Sequence, residues 1–194
     1  GVPRETGFDI TAASEAMATL ALCTALQDLR ERLGRIVVGY TKSGTPVTAE
    51  ELKVAGSMTV ILMEAIKPNL MQTLENTPAL VHTGPFGNIA TGNSSIVADR
   101  IGIHMGDYLI TEAGFGADMG AERFFNIKCR ASRLAPDAPV LVATVRRLKP
   151  HSGKHKIVAS KALPEDVIKE NAEEVHQSEN NLSKQLENMR IHGC

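Results

Sequence analysis

Two glycine-rich segments hold the residues best suited to chemistry in this sequence. The first runs from Gly84 to Asn93 and the second from Glu112 to Gly120, and each directly follows a short apolar run typical of a β-strand. In an open parallel sheet, ligands bind beyond the carboxyl ends of the strands, which is where both segments would lie. Backbone amides in such turns can contact an anion, although a tight turn explains the glycines equally well.

The second segment adds an aromatic ring and two carboxylates to its glycines. Phe115 stands between two glycines, with Glu112 before it and Asp118 after it. A solvent-facing Phe115 at the edge of a sheet would cover a flat ligand, while a Phe115 buried in the core is an equally open interpretation. The glycine spacing is one residue too long for a dinucleotide-binding fingerprint, which argues against a Rossmann site.

A dense basic run follows the third apolar run of the chain and includes Arg146 and Lys149. Such side chains are suited to binding phosphate, but a solvated loop that packs on nothing is the competing interpretation. The pair Gly153–Lys154 does not form a phosphate-binding loop, because Leu148 stands where that motif needs its first glycine.

Composition argues against several classes of partner. The 21 Lys and Arg residues nearly balance the 22 Asp and Glu residues, so the chain lacks a long-range field that would attract nucleic acid or an anionic membrane. No apolar run approaches the roughly 18 residues of a membrane span. The six His and three Cys residues form no H-E-x-x-H or C-x-x-C pattern, and the odd cysteine count fits a reducing compartment. We therefore predict a cytoplasmic protein without a resident metal.

The first third of the chain predicts helices around a small hairpin. Residues from Thr11 to Arg32 are rich in Ala, Leu and Met, which predicts one buried helix. A polar turn between two short apolar runs predicts a hairpin at about residues 35–48. The sequence from Thr48 to Glu51 has the spacing of a capping box, which predicts the start of a second helix that Pro68 ends.

The rest of the chain predicts an α/β fold with a mostly parallel sheet and flanking helices. Candidate strands are Ala79–His82, Tyr108–Thr111 and Val140–Val145, and they alternate with glycine-rich turns and helical stretches, including one that starts near Ser94. The third strand is nearly continuous in apolar residues, which is typical of a strand covered on both faces. Pro164 favours the start of a last, amphipathic helix.

Longer runs of the sequence resemble the formate–tetrahydrofolate ligase family. The matching runs are residues 1–11, 65–75, 84–86, 92–95, 111–118 and 142–146. The resemblance implies a reaction in which ATP phosphorylates formate to formyl phosphate. Tetrahydrofolate then attacks the formyl carbon to give 10-formyltetrahydrofolate, ADP and phosphate, with Mg2+ and a monovalent cation such as K+ assisting.

The resemblance also implies a fold and a set of site residues. The fold is part of a P-loop NTPase-like domain, incomplete at both ends of residues 1–194, in an enzyme that commonly forms a homotetramer. Phe115 and Gly116 match the family motif that lines the formyl phosphate and pterin site. Five further residues are expected nearby without assigned roles: Asn93, Glu112, Asp118, Arg146 and Lys149.

Three features depart from the family pattern. Thr91 stands where the family has His, Gly87 stands where Ala is usual, and the loop from Arg147 to Gly153 differs from the family signature. The family's phosphate-binding loop is expected upstream of Gly1 and its folate-stacking residues downstream of Cys194. Because phosphoryl transfer depends on that loop, we expect the isolated chain neither to bind ATP tightly nor to turn over.

Two other hypotheses stay open. In the first hypothesis, the chain is a truncated paralogue that has lost catalysis and serves as a subunit or binding partner. A partner chain would then cover its exposed strand edges. Alternatively, it is another amide-forming P-loop ligase, which would share the fold but not the runs at residues 68–75 and 111–118.

Overall fold

The computed structural model describes residues 14–84, 91–114, 116–158 and 161–193. The chain divides into two compact units, Gly1–Leu134 and Ala135–Cys194. The single partial domain that the sequence predicts over residues 1–194 stays a prediction.

Short helices dominate both units, and the strands form two hairpins. The first unit contains α1 (Glu15–Leu22), α2 (Leu26–Gly34), β1 (Val37–Tyr40), β2 (Pro46–Thr48), α3 (Ala55–Leu62), β3 (Asn69–Gln72), β4 (Pro78–Val81), α4 (Ile96–Gly102), α5 (Ala117–Arg123), a π-helix (Phe124–Cys129) and α6 (Arg130–Ser132). The second unit contains α7 (Val145–Leu148), a 3₁₀ helix (Lys149–Ser152), α8 (Glu165–Ile168), α9 (Ala172–Gln177) and α10 (Glu179–Ile191).

A helical core lies where α1, α2 and α3 meet. Leu20, Cys23, Leu29 and Leu33 form its buried cluster, and side chains of α3 pack against it. The thiol of Cys23 donates to the carbonyl oxygen of Leu20 (3.1 Å), and burial raises its pKa to about 11. Cys23 is therefore an inert core residue.

The single helix predicted from Thr11 to Arg32 is wrong, because the chain breaks between α1 and α2. Cys23 and Ala25 have extended backbones. The amide and hydroxyl of Thr24 donate to the carboxylate of Asp28 at 2.9 and 3.2 Å, which holds the first turn of a new helix. Helix propensity favours a continuous helix here, but these local hydrogen bonds favour a restart.

The predicted hairpin and capping box are both present. β1 and β2 pair antiparallel, with an irregularity in register between Val37 and Gly39. The amide of Glu51 donates to the Thr48 hydroxyl (3.3 Å), and the Thr48 amide donates to the Glu51 carboxylate (2.7 Å). The box holds a turn, and regular α3 begins at Ala55. Beyond Pro68 the chain enters β3.

The parallel sheet predicted from the sequence does not form among the described residues. The predicted strand at residues 79–82 is present as β4, but it pairs antiparallel with β3. The other two predicted strands, at 108–111 and 140–145, make no ladder, and Tyr108, Ile110 and Val140 are 91%, 93% and 88% exposed. Their apolar character predicts burial on both faces, but a strand also needs neighbours, and no described segment pairs with them.

The last helix predicted from Pro164 consists of three shorter helices. Pro164 immediately precedes α8. The side chain of Asn171 accepts from the amide of Glu174 (3.0 Å) and starts α9, and Ser178 then separates α9 from α10. None of the helices in the described ranges is long and apolar enough to cross a membrane.

Candidate functional site

A cleft of about 1240 Å³ opens beside α4 in the first unit. Its walls come from β4 and the residues after it, from Gly92–Ser94, from α4, and from the chain between Met105 and Glu112. The lining is completed by Gly114, Gly116, Met119 and Arg123. Both glycine-rich segments that the sequence marks for chemistry therefore reach the same cleft.

The glycines let these two segments approach closely. A methyl group added to Gly114 would lie 3.2 Å from the carbonyl oxygen of Gly92, and one added to Gly120 would overlap the carbonyl of Gly114. Gly116 has φ +71°, a conformation that residues with a side chain adopt only with strain. The close approach of backbone to backbone, and not the tight turn alone, explains why glycine occupies these positions.

A hydrogen bond between the buried side chains of His82 and Ser95 lies beside the cleft, and His82 is part of the lining. His82 follows β4, and its Nε2 lies 2.7 Å from the carbonyl oxygen of Ala65, which can only accept. In the neutral ring Nδ1 is therefore the acceptor, and the hydroxyl of Ser95 donates to it at 2.6 Å. The same hydroxyl accepts from the amide of Ala98 (3.0 Å) as the N-cap of α4. One serine thus joins the end of β4 to the start of α4.

Several polar atoms of the cleft are buried without a hydrogen-bond partner in the part of the chain that the structure describes. They are Thr83 Oγ1, Asn93 Oδ1, Thr111 Oγ1 and Arg123 Nε, and all four residues line the cleft. The amide nitrogen of Asn93 is satisfied, since it donates to the Thr91 carbonyl at 2.7 Å. Buried polar groups in folded proteins nearly always have partners, so four exceptions in one cleft make it the candidate site among the described residues.

A buried ion pair lies beside the cleft. Lys128 in the π-helix is 1% exposed, and its ammonium lies 2.6 Å from the carboxylate of Asp99 on α4. Burial raises the pKa of Asp99 above its ordinary value, and Lys128 offsets only part of that effect. Asp99 also lines the cleft. This pair connects α4 to the helical segment that begins with α5.

A second polar cluster surrounds Glu174 in the second unit. Its carboxylate accepts from the hydroxyl of Ser152 (3.0 Å) and lies 2.5 Å from Nε2 of His155. Burial opposes ionisation of Glu174, but the hydrogen bonds from Ser152 and His155 outweigh it and hold the pKa below its ordinary value. The ammonium of Lys149 donates to the carbonyls of Asp166 and Lys169. The solvated-loop interpretation of the basic run therefore does not hold for Lys149 and His155.

Comparison with known proteins decides the family. The family model described as formate–tetrahydrofolate ligase matches residues 1–194. The chain belongs to the formate–tetrahydrofolate ligase family. It is 68% identical over 193 residues to the formate–tetrahydrofolate ligase of Saccharopolyspora erythraea, a match that covers 100% of this chain and 34% of the relative.

Other relatives give the same result. The chain is 69% identical to formate–tetrahydrofolate ligase 3 of Rubrobacter xylanophilus and 64% identical to the formate–tetrahydrofolate ligase of Cutibacterium acnes, in each case over 100% of this chain and 34% of the relative. The chain therefore spans about a third of the length of the curated relatives it matches.

The structure of this member of the formate–tetrahydrofolate ligase family brings some of the sequence-predicted site residues together. Asn93, Glu112 and Gly116 line the cleft, while Asp118 lies in the first turn of α5 outside the lining. Phe115 lies outside the described residues. Arg146 and Lys149 belong to the second unit, where Arg146 is exposed and Lys149 is buried. The site roles of all seven residues stay predictions.

Sequence reasoning missed Asp99, Arg123 and Lys128. None of them belongs to a glycine-rich segment or to the basic run, and the ion pair joins two helices that are far apart in the sequence. One weak signal was available, since Arg123 and Lys128 flank a short stretch that contains the apolar residues Phe124, Phe125 and Ile127. A charged residue beside such a stretch indicates either a surface position or a buried partner.

Proposed function

We propose that this chain forms part of an enzyme that uses ATP to join formate to tetrahydrofolate through formyl phosphate. The products are 10-formyltetrahydrofolate, ADP and phosphate. The observation that carries this proposal is the family match over residues 1–194, with relatives of that name at 68–69% identity. Because the chain spans 34% of those relatives, the activity is proposed for the whole protein that contains it.

The cleft is the part of the proposed active site that this chain supplies. Acyl phosphates react readily with water, so their binding site must exclude water and surround the phosphate with preorganised donors. Glycine-rich backbone and the unpartnered polar atoms of Thr83, Thr111 and Arg123 suit that task. Phe115, next to Gly116 of the cleft, is proposed to cover the flat pterin ring of the folate.

The finer fold assignment is also a proposal. In the whole protein, the exposed apolar segments at residues 108–111 and 140–145 are proposed to become strands of a mostly parallel sheet in a P-loop NTPase-like domain. Tyr108, Ile110, Val140 and Val142 support this, because each is more than 80% exposed here and would be covered by neighbouring strands and helices. A cytoplasmic homotetramer is the proposed form of the whole enzyme.

Cations enter the proposal only at the level of the whole enzyme. In the ranges that the structure describes, no three His, Cys, Asp or Glu side chains come together as a metal ion would require. We propose that Mg2+ enters the whole enzyme with ATP and that a monovalent cation such as K+ assists there.

A chimaera tests the proposed function without relying on the chain alone. The matching 193 residues of the Saccharopolyspora erythraea relative are replaced with this chain, and ADP release is measured with and without formate and tetrahydrofolate. We expect ADP release that depends on both substrates, within about tenfold of the unmodified relative, because conservative changes outside the reacting groups alter rates modestly.

The control is the unmodified relative, assayed in parallel and compared with the chimaera in helix content and assembly size. A chimaera that matches the relative in both but releases no ADP with formate and tetrahydrofolate would contradict the proposal. The non-catalytic paralogue would then be the better explanation.

A further inference from the structure

Arg123 is a cleft residue whose charge the fold does not neutralise. It is the last residue of α5, it is half-buried, and its Nε is fully buried without a hydrogen-bond partner. Two other arginines of the first unit do have carboxylate partners, since Arg30 binds Glu50 at 2.6 and 2.9 Å and Arg32 binds Asp28 at 2.7 Å. Arg123 has no such carboxylate among the described residues.

The carboxylates around Arg123 are engaged or solvated. Asp99 also lines the cleft, but its carboxylate is 2.6 Å from the ammonium of Lys128. Glu122 accepts from the side-chain amide of Asn126 on the exposed surface. Glu112 is an exposed residue of the lining, and no ion pair within 4.0 Å joins it to Arg123. The guanidinium thus presents an uncompensated positive charge to the cleft.

Two hydroxyl groups share the same cleft and also lack partners. Thr83 Oγ1 and Thr111 Oγ1 are buried and make no hydrogen bond. A hydroxyl rotates to donate to whatever acceptor arrives. A guanidinium presents parallel N–H donors in a planar fork, which matches the two oxygens of a carboxylate or phosphate group.

We infer that Arg123 binds the oxyanion of a ligand in the cleft, a carboxylate or phosphate group, with Thr83 and Thr111 as further donors. A purely structural arginine would have its buried Nε–H paired within the fold, because an unpaired buried donor destabilises the folded state by about 1–3 kcal/mol. The inference deepens the proposed function and rests on it, since formate and formyl phosphate are both oxyanions.

Titrations of the full 194-residue chain, labelled with nitrogen-15, test this inference. The Nε–Hε signal of Arg123 is assigned by its loss in Arg123→Lys and followed during separate titrations with inorganic phosphate and with formate, at constant ionic strength. We expect saturable movement of this signal with at least one of the two anions, because the buried Nε–H gains an acceptor. The anion that moves it distinguishes a phosphate site from a carboxylate site.

The variant series separates a bidentate site from a general charge effect. Arg123→Lys keeps the charge but loses the fork, so we expect about tenfold weaker binding of the same anion. Arg100→Lys is the matched control, because Arg100 is exposed on α4 and does not line the cleft. The Arg100→Lys variant should bind the anion with the same affinity as the unchanged chain. Thermal unfolding verifies that both variants are folded.

Two results would overturn the inference: an Arg123 signal that moves with neither anion, or equal affinity in Arg123→Lys and the unchanged chain. An inactive chimaera together with a saturable Arg123 signal would instead remove the proposed function and leave the oxyanion site standing. An active chimaera together with an Arg123 signal that moves with neither anion would support the proposed function and remove the oxyanion site.

Discussion

The helical core and the cleft belong to the same unit, yet they differ in how completely their polar groups are satisfied. In the core, Cys23, Leu29 and Leu33 are fully buried, and even the thiol of Cys23 has an acceptor. In the cleft, four buried polar atoms have none. The difference teaches that the core satisfies its polar groups within one stretch of sequence, whereas the cleft leaves polar groups unpaired among the described residues.

Removal of Lys128 should have the largest effect. In Lys128→Met the carboxylate of Asp99 stays buried without its partner at 2.6 Å, and loss of one member of a buried pair destabilises by about 3–5 kcal/mol. Urea unfolding followed by circular dichroism measures the change, and amide hydrogen exchange in α4 should rise locally.

The double variant Lys128→Met with Asp99→Asn is the control for this prediction, because it removes the charge that Lys128 compensates. It should be more stable than Lys128→Met alone. Equal stability of the two variants would mean that packing of the lysine chain, and not its charge, holds α4 in place.

Truncation in the helical core should have the next largest effect. Leu29 is 0% exposed, so Leu29→Ala should lower the free energy of unfolding by about 2–5 kcal/mol through lost burial and a cavity. Leu26→Ala, in the same helix at a residue that is 39% exposed, is the matched control and should change it by less than about 1 kcal/mol. Similar urea midpoints for the two variants would show that the core is not close-packed.

Two N-cap serines allow the cleft and the core to be compared directly. Ser14 caps α1 on the exposed surface, so Ser14→Ala should cost about 1 kcal/mol. Ser95→Ala removes the cap of α4 and also leaves Nδ1 of His82 without its donor, so its cost should be larger by about 1–3 kcal/mol. Chemical denaturation of both variants measures the difference, and equal costs would contradict a role for the His82 contact.

The smallest expected effect is a pair of opposite pH dependences. Burial opposes ionisation of Asp28, but hydrogen bonds from Arg32 and Thr24 outweigh it and lower its pKa, whereas burial raises the pKa of Asp99. The stability that Asp28 contributes is present above its unfolded pKa and is lost as pH falls through its folded pKa. The charge of Asp99 instead destabilises the fold progressively as pH rises from its unfolded pKa through its folded pKa.

Asp28→Asn and Asp99→Asn test these signs by urea unfolding between about pH 3 and pH 7, the range that brackets ordinary and raised carboxyl pKa values. Asp28→Asn should reduce the loss of stability on acidification. Asp99→Asn should remove a decline in stability that accompanies rising pH. Parallel profiles for the two variants would contradict the assignment.

Local signals in the sequence predict local structure well. The turn between two apolar runs predicts the hairpin of β1 and β2, and the spacing of Thr48 and Glu51 predicts a capping box whose two hydrogen bonds are present. A helix predicted near Ser94 begins at Ile96 with Ser95 as its cap. These features depend on residues within a few positions of each other.

Features that depend on distant partners are predicted less well. The parallel sheet is wrong for the described residues because apolar character indicates burial but does not specify which strand pairs with which. The Asp99–Lys128 pair joins two helices that are far apart in the sequence, and no local pattern identifies Asp99 as the partner of Lys128. The break at Thr24 is a local failure, since two hydrogen bonds to Asp28 override a strong helix propensity.

The candidate site is predicted for a reason that is only partly right. The rule that ligands bind beyond strand ends selects both glycine-rich segments, and both reach the cleft although only β4 is a strand. Arg123 could not be found in this way, because an unpartnered guanidinium is recognised only once the positions of all nearby carboxylates are known.

The π-helix makes this part of the molecule sensitive to chain length. Its hydrogen bonds join residues five positions apart, so it contains one residue more than an α-helical segment of the same height. Deletion of a single residue between Phe124 and Cys129 would remove that extra residue and restore α-helical geometry, which would reposition the side chains inside the segment, Lys128 among them, relative to Asp99. Among homologous chains, we therefore expect insertions and deletions to accumulate in the surface turns and to spare this stretch, where a change of one residue alters which side chains meet.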